Sequence, residues 1–265
     1  MGRSKEEDIG KLNEMIKKAE SFCVLTHLIA DLDAICSQLF LKKILTYYYK
    51  KNVIDLFVQE QEWPKYQQID LHGLDSISNI PPGKRLDTSD YDLIFIVDCS
   101  SLDISHCVAI SEESINALQR TIVFDHHRIK QRDQPVLLFN EYRSSAIEQL
   151  YVIFKEVFPE IQKDPEIARL TQIGIVTDTG RFLYSSMMSR DTFTITGELF
   201  KTNPIDIERI YFNAQEISRS SINVFRSVLK NIIFKGRMAY SYIDESLFAN
   251  KNYSGKDFVT VKEFF

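Results

Sequence analysis

Glycine is scarce in this 265-residue chain, nine residues in all, where average usage is roughly 7%. None of the nine falls in a GxGxxG or GxxxxGK(S/T) arrangement, which excludes both Gly-rich phosphate cradles, that of the dinucleotide-binding fold and that of the P-loop. There is no GxSxG either, so a serine nucleophile on a strained strand-to-helix elbow is excluded. The four cysteines, Cys23, Cys36, Cys99 and Cys107, show no CxxC spacing and read as reduced thiols, Cys23 and Cys99 within apolar strand-like runs. Basic charge is not in excess: 32 Lys and Arg against 37 Asp and Glu leave a net charge of −5. That balance argues against a duplex-DNA binder with a broad cationic face. No apolar run approaches the roughly 18 to 20 residues of a membrane span, and residues 1–20 are polar and amphipathic rather than signal-like. A cytoplasmic protein with no membrane partner is expected.

What the chain does have is a 44% hydrophobic content, distributed as short apolar runs alternating with longer stretches of helical period. Strands are expected at 21–26, 52–58, 91–97, 121–124 and 136–139, with helices at 34–49 and 111–118 between them. Residues 144–234 read as almost wholly helical, in segments 145–158, 165–177, 190–201, 204–212 and 218–234. A further strand at 238–243 and a helix at 257–265 follow. The fold class is therefore α/β: a mostly parallel five-stranded sheet with helices on both faces, a helical connector, and the start of a second, smaller α/β lobe. The corresponding divisions are 1–187, 188–236 and 237–265, the last reading as an incomplete lobe.

Chemistry concentrates where the expected strands end. The first strand runs into His27, Asp31 and Asp33, the third into Asp98, and the fourth into Asp125, His126 and His127. Asp178 closes an apolar helix in GIVTDTGRF. Open α/β sheets place their sites at the carboxyl ends of strands, and imidazoles with carboxylates suit a first-row divalent cation. Two His and four Asp from this set would exceed the needs of one ion, whereas they suit two metals about 3.5 to 4 Å apart sharing a carboxylate.

In order, H-x-x-x-D-x-D, a strand-terminal Asp, D-H-H and T-D-T-G-x-F resemble the DHH-family phosphoesterases, and the TDTGRF segment is most similar to their nanoRNase group, the bifunctional oligoribonuclease and pAp phosphatases. The resemblance implies two divalent ions, manganese first among them, with His27 and Asp31 on one, Asp33, His126 and Asp178 on the other, and Asp98 bridging. It also implies that Asp125 orients an imidazole and that His127 faces the substrate phosphate or leaving oxygen, where it would protonate the leaving group. Where the family has Pro-Asp-Gly-Asp, this chain has Ala30, Asp31, Leu32 and Asp33, and Cys36 replaces the small residue before the helical serine. The family's carboxyl-terminal GGGH motif has no match here.

The activity so implied is two-metal hydrolysis of short oligonucleotides or linear or cyclic dinucleotides to nucleoside monophosphates by an activated hydroxide, with pAp as a further substrate. A manganese pyrophosphatase or exopolyphosphatase and a non-catalytic metal- or nucleotide-binding module are the alternatives. With the second lobe incomplete, weak substrate binding is expected. Apolar positions between Phe193 and Phe212 leave a homodimer open. Ser144, Ser145 and Glu148 suit either a helix cap or a substrate contact, and Arg128, Lys130 and Arg132 either a solvated loop or a phosphate contact. Tyr47, Tyr48 and Tyr49 read as core and helix surface, and His72, His106 and Trp63 as structural.

Overall fold

A computed structural model describes residues 4–59, 66, 69–81, 84–99, 118–127, 135–184, 188–214 and 219–248. The chain divides into two compact units, Met1–Ala214 and Gln215–Phe265.

The first unit opens with α1 (Lys5–Lys18), capped reciprocally by Ser4 and Glu7, as a capping box requires. Then come β1 (Ser21–Leu25), α2 (Leu32–Lys43), β2 (Val53–Gln59), β3 (Ile77–Ile80), β4 (Leu93–Val97), β5 (Thr121–Phe124) and β6 (Leu137–Phe139). After them lie α3 (Ala146–Val157), α4 (Pro165–Asp178), α5 (Arg190–Thr202) and α6 (Ile207–Ala214). The six strands are ordered β3-β2-β1-β4-β5-β6 and every pair is parallel.

The sheet has six strands where the sequence predicts five. The additional one, β3, is a four-residue edge strand, ISNI, with only its end residues buried. It alternates in neither period and carries Asn79, so neither strand pattern nor propensity marks it. The expected helix at 111–118 falls largely outside the described residues. The helix expected over 34–49 begins two residues earlier and passes after Lys43 into a π-helical turn, Ile44–Tyr48.

Strand side chains alternate between two faces. On one, Phe22, Phe95, Phe124 and Phe139 form a ladder across β1, β4, β5 and β6, with neighbouring centroids 6.1, 6.0 and 5.1 Å apart. This face joins the large core that takes in Leu12 and Ile16 of α1, Ile35 and Phe40 of α2, Leu150 and Phe154 of α3, and Ile173 of α4. On the other, Cys23, Leu25, Ile94, Ile96 and Val123 make a second apolar cluster. Cys23 and Cys36 are buried free thiols, and Cys99 is buried. Tyr48 and Tyr49 pack against the core, and Tyr47 is exposed.

Within the second unit, α7 (Arg219–Lys230) buries Val224 and Val228 against Phe225 and Ile243. Strands β7 (Ile233–Lys235) and β8 (Met238–Tyr240) pair antiparallel, and α8 (Glu245–Phe248) follows. The helix predicted to reach Phe234 thus ends four residues sooner. Gly236, at φ +59°, turns the chain between β7 and β8, and glycine takes that conformation at no steric cost. Among the described residues no helix is long and apolar enough to cross a membrane.

Candidate metal centre

The strand order reverses direction between β1 and β4, the switch point at which open parallel sheets leave a crevice beyond their carboxyl ends. The residues following those two strands and β5 meet there. Ligand-type atoms of His27, Asp31 and Asp98 lie within 4.8 Å of one another, as do those of Asp33, His126 and Asp178, and those of Asp98, His126 and His127. All the site residues expected from sequence except Asp125 fall in these three groups, and Asp98 belongs to two of them. Asp125 stands immediately behind.

Local structure explains how each side chain arrives. Asp31 caps α2, accepting from the Ala34 N–H at 3.1 Å, so the turn after β1 holds His27 and Asp31 close, His27 Nε2 to Asp31 Oδ1 being 3.9 Å. Asp33, in the first turn of α2 and 1% exposed, points at the amino end of α3, where it accepts from Ala146 N–H at 2.7 Å and Ile147 N–H at 3.1 Å. Asp98 takes φ +52° directly after β4, a left-handed conformation that Asp tolerates better than most residues. Its N–H continues the ladder to Phe124 O at 2.9 Å while its carboxylate turns into the crevice. Asp178 ends α4, and the turn behind it places Gly180, Arg181 and Phe182 at φ +56°, +63° and +63°. Arg181 and Phe182, unlike the glycine, are costly in that region unless the surroundings enforce it. Thr179 helps to do so, donating to Ile175 O and accepting from Phe182 N–H.

Asp98 is central. His27 Nε2 lies 3.3 Å from its Oδ2, and His126 Nε2 3.4 Å from its Oδ1; His126 Nε2 is also 3.3 Å from Asp178 Oδ2. Asp98 Oδ1, His126 Nε2 and Asp178 Oδ2 are nonetheless buried without a hydrogen-bond partner. Unpartnered buried polar atoms are costly. A convergent set of them, carboxylate oxygens beside imidazole nitrogens, is the donor set that suits a divalent cation.

Electrostatics points the same way. Burial, with Asp98 and Asp178 nearby, pushes the Asp33 carboxyl well above its usual range. Burial likewise pushes Asp178 up to about 7. Burial opposes a charge on His27 and on His126, but Asp98 and the other carboxylates outweigh it and raise them to about 9 and about 10. Burial would also raise Asp98, but His126 and His27 outweigh it and hold that carboxyl low.

His127 differs from its neighbour. Its Nδ1 is 2.8 Å from Asp125 Oδ1, a bond that is the main reason its imidazole is raised, and its side chain is 52% exposed where that of His126 is 2% exposed. Asp125 is wholly buried and also accepts from the His127 N–H. The imidazole that Asp125 orients is therefore that of His127.

Two contributors escape a reading of motifs. Gly174, one turn before Asp178 on α4, is where α4 approaches α2 and α3: a Cβ there would stand 2.6 Å from Ile147 Cγ2 and 2.7 Å from Asp33 Oδ1. The available signal was a glycine four residues ahead of a ligand in an apolar helix. Thr192 of α5 donates to Glu148, and nothing local in the sequence announces it. Glu148 itself, with Ser144 and Ser145, lies at the amino end of α3, Ser145 capping it through the Glu148 N–H. Arg128, Lys130, Arg132, Trp63 and His106 lie outside the described residues, and His72 belongs to none of the three ligand groups.

The sequence of the DHH family's N-terminal domain matches residues 21–175, a span that holds every site residue but Asp178. No curated relative matches the chain. Among solved structures, an exopolyphosphatase-related protein from Bacteroides fragilis superposes with a TM-score of 0.74 over 96% of this chain and 75% of its own, at 20% identity. That likeness is one of fold. The family match spans more than half of the chain and takes in the ligand-bearing ends of β1, β4 and β5, and on that evidence the chain belongs to the DHH family.

Proposed function

We propose that this protein is a divalent-metal-dependent phosphoesterase that hydrolyses short oligonucleotides or linear or cyclic dinucleotides to nucleoside monophosphates, with pAp as a further substrate. The observation that carries the reading is the chain of overlapping ligand groups: His27, Asp31 and Asp98; Asp98, His126 and His127; and Asp33, His126 and Asp178. The nucleotide preference is supported by the similarity of Thr177–Phe182 to the nanoRNase group. Two ions, manganese first, would be held by His27, Asp31 and Asp98 and by Asp33, His126, Asp178 and the shared Asp98. Bound there, they supply water activation and neutralisation of the phosphoryl oxygens. Residues 1–187 form the catalytic domain in this reading, 188–236 a helical connector and 237–265 part of a substrate-side lobe; the protein works in the cytoplasm.

The chain's own groups have separable tasks. Hydrolysis joins a water oxygen to phosphorus and breaks the bond to the leaving oxygen, which departs with the electron pair and needs a proton. In this reading His127 gives it: Asp125 holds Nδ1 at 2.8 Å, and the opposite ring nitrogen would carry the proton. The wholly buried Asp125 keeps that ring in one orientation.

The test is to incubate purified protein with Mn²⁺ and a 5′-phosphorylated diribonucleotide, pAp, or inorganic polyphosphate, and to follow monophosphate and orthophosphate release. Monophosphate from the dinucleotide, abolished by chelator, supports the proposal. Orthophosphate from polyphosphate alone would replace it with the second reading, favoured by the description of the B. fragilis neighbour as exopolyphosphatase-related. Metal binding with no turnover of any substrate would leave a non-catalytic binding module.

A further inference from the structure

The amino-terminal turn of α3 finds partners for three of its leading N–H groups, which a helix cannot satisfy internally. Ala146 and Ile147 donate to Asp33, and Glu148 donates to Ser145 Oγ at 3.3 Å; Gln149, donating to Ser145 O at 3.3 Å, begins the helix's own ladder. Asp33 is thus held by two N–H groups at the positive end of a helix. Its direction is only as definite as that turn.

Glu148 holds the turn. Its side chain is wholly buried, and a carboxylate is buried at acceptable cost only when its oxygens are satisfied. Oε2 accepts from the Ser144 N–H at 3.1 Å, from the Ser144 hydroxyl, and from Thr192 Oγ1 at 2.9 Å. Oε1 faces Arg143 NH1 at 3.5 Å, and Arg143 in turn meets Glu141 at 3.0 Å and Asp191 at 3.2 Å. In a capping box a glutamate at this third helical position returns to the N–H of the cap residue. Here it reaches one residue further back, to Ser144, and outward to α5. Four bonds converge on a side chain that touches none of the ligand groups.

We infer that Glu148 is a positioning residue for the metal centre: by clamping Ser144 and Thr192 it fixes the Ala146 and Ile147 N–H groups, and through them the carboxylate of Asp33. The inference rests on the proposed metal site and deepens it. Its consequence is selective. The ion held by Asp33, His126 and Asp178 depends on the clamp, whereas the ion on His27 and Asp31 is reached from β1 and β4 and does not.

The experiment is a calorimetric titration of the full chain with Mn²⁺, free of substrate, in wild type, Glu148→Ala, Glu148→Gln, Thr192→Val and Ile16→Ala. Wild type should take up two ions. Glu148→Ala should keep one at wild-type affinity and bind the other about 10 to 100-fold more weakly, the usual effect of removing a group that orients a ligand. Glu148→Gln, which still offers an acceptor to Ser144 and Thr192, should recover most of the loss. Thr192→Val, a milder change that serves if Glu148→Ala does not fold, should weaken the same ion by up to about tenfold. Ile16, wholly buried in α1, is the control: its truncation lowers the melting temperature and should leave both affinities alone. Equal weakening of both ions in Glu148→Ala, the same loss in Ile16→Ala, or two wild-type affinities in Glu148→Ala would each overturn the inference while the metal site stands. A wild-type chain that binds no Mn²⁺ overturns the site and the inference together.

Discussion

Asp92 and Asp98 stand at opposite ends of β4, and the sheet treats them differently. At the amino edge Asp92 is exposed and accepts from the Glu20 N–H at 2.8 Å and the Ser21 N–H at 3.1 Å, which hold its carboxyl below the usual range. At the carboxyl edge Asp98 is 3% exposed and faces His27 and His126, while its Oδ1 has no hydrogen-bond partner. One carboxylate is satisfied by backbone donors that cannot leave, whereas the other faces two imidazoles and keeps an oxygen without a partner. A cation bound there would gain that oxygen and the deprotonated imidazoles as ligands. The contrast between a closed structural acid and an open one is thus a contrast in what satisfies the carboxylate.

The largest effect should come from Asp98→Asn, which keeps the shape and a residue tolerant of positive φ while removing the shared charge. Both ions and turnover should be lost together. Wild type should gain stability in saturating Mn²⁺, about 2.7 kcal/mol at a hundredfold excess over Kd, and Asp98→Asn should gain almost none. Melting curves with and without Mn²⁺ check this; an undiminished metal-dependent shift in the variant would place the cation elsewhere.

Next, His127→Ala should leave both ions bound and lower turnover by about 10² to 10⁴, the usual range for a positioned acid or base. Metal content and rate are to be measured on the same preparation. If His127→Ala loses metal as Asp98→Asn does, His127 belongs among the ligands, as its grouping with Asp98 and His126 allows.

A smaller effect separates two helical glycines. Gly174→Ala drives a Cβ against Ile147 and Asp33 and should cost about 1 to 3 kcal/mol, with weaker binding of the ion on Asp33. Gly10, exposed in α1 and with nothing within 4 Å of where a Cβ would stand, should accept alanine with a gain of up to about 1 kcal/mol. Denaturant unfolding of the two variants checks the opposite signs.

Smallest is Asp92→Asn, at the satisfied end of β4. Its loss should stay below about 1 kcal/mol, since the site is exposed and screened, and Mn²⁺ affinity should not change. A carboxyl depressed on folding contributes stability above its unfolded pKa and loses it as the pH falls through the folded value. The difference between wild type and variant should therefore shrink as the pH drops below about 4, which unfolding measured from pH 7 to pH 3 will show.

Much of this was legible in the sequence for local reasons. The cores of β1, β4, β5 and β6 are continuous apolar runs, as strands buried on both faces must be, while β2 alternates around the exposed Asp55; the candidate ligands stand just past β1, β4 and β5, so that His27, Asp98 and His126 stood out before any contact was known. The edge strand β3 was not, because a short edge with two buried residues has little periodicity. Strand β7 was absorbed into a helix because Ile232, Ile233 and Phe234 extend the apolar content of α7 and only Gly236 marks the turn, while β8 lies within the strand expected at 238–243.

From the sequence alone follow the parallel α/β class, the edge of the sheet that carries the site and the residue types that line it, since each depends on strand period and on what stands at a strand's end. The tertiary structure decides the rest. Asp98, rather than another acid, is central because β4 lies between β1 and β5. Asp125 orients His127 and not His126, because the two imidazoles turn apart after β5, one inward to Asp178 and one toward solvent. Asp33 is aimed by a helix more than a hundred residues away in the chain, which in turn is held by Glu148, Thr192 and the close approach at Gly174. Those relations are distances between segments that no local pattern encodes, and they exist only once the helices have packed against the sheet.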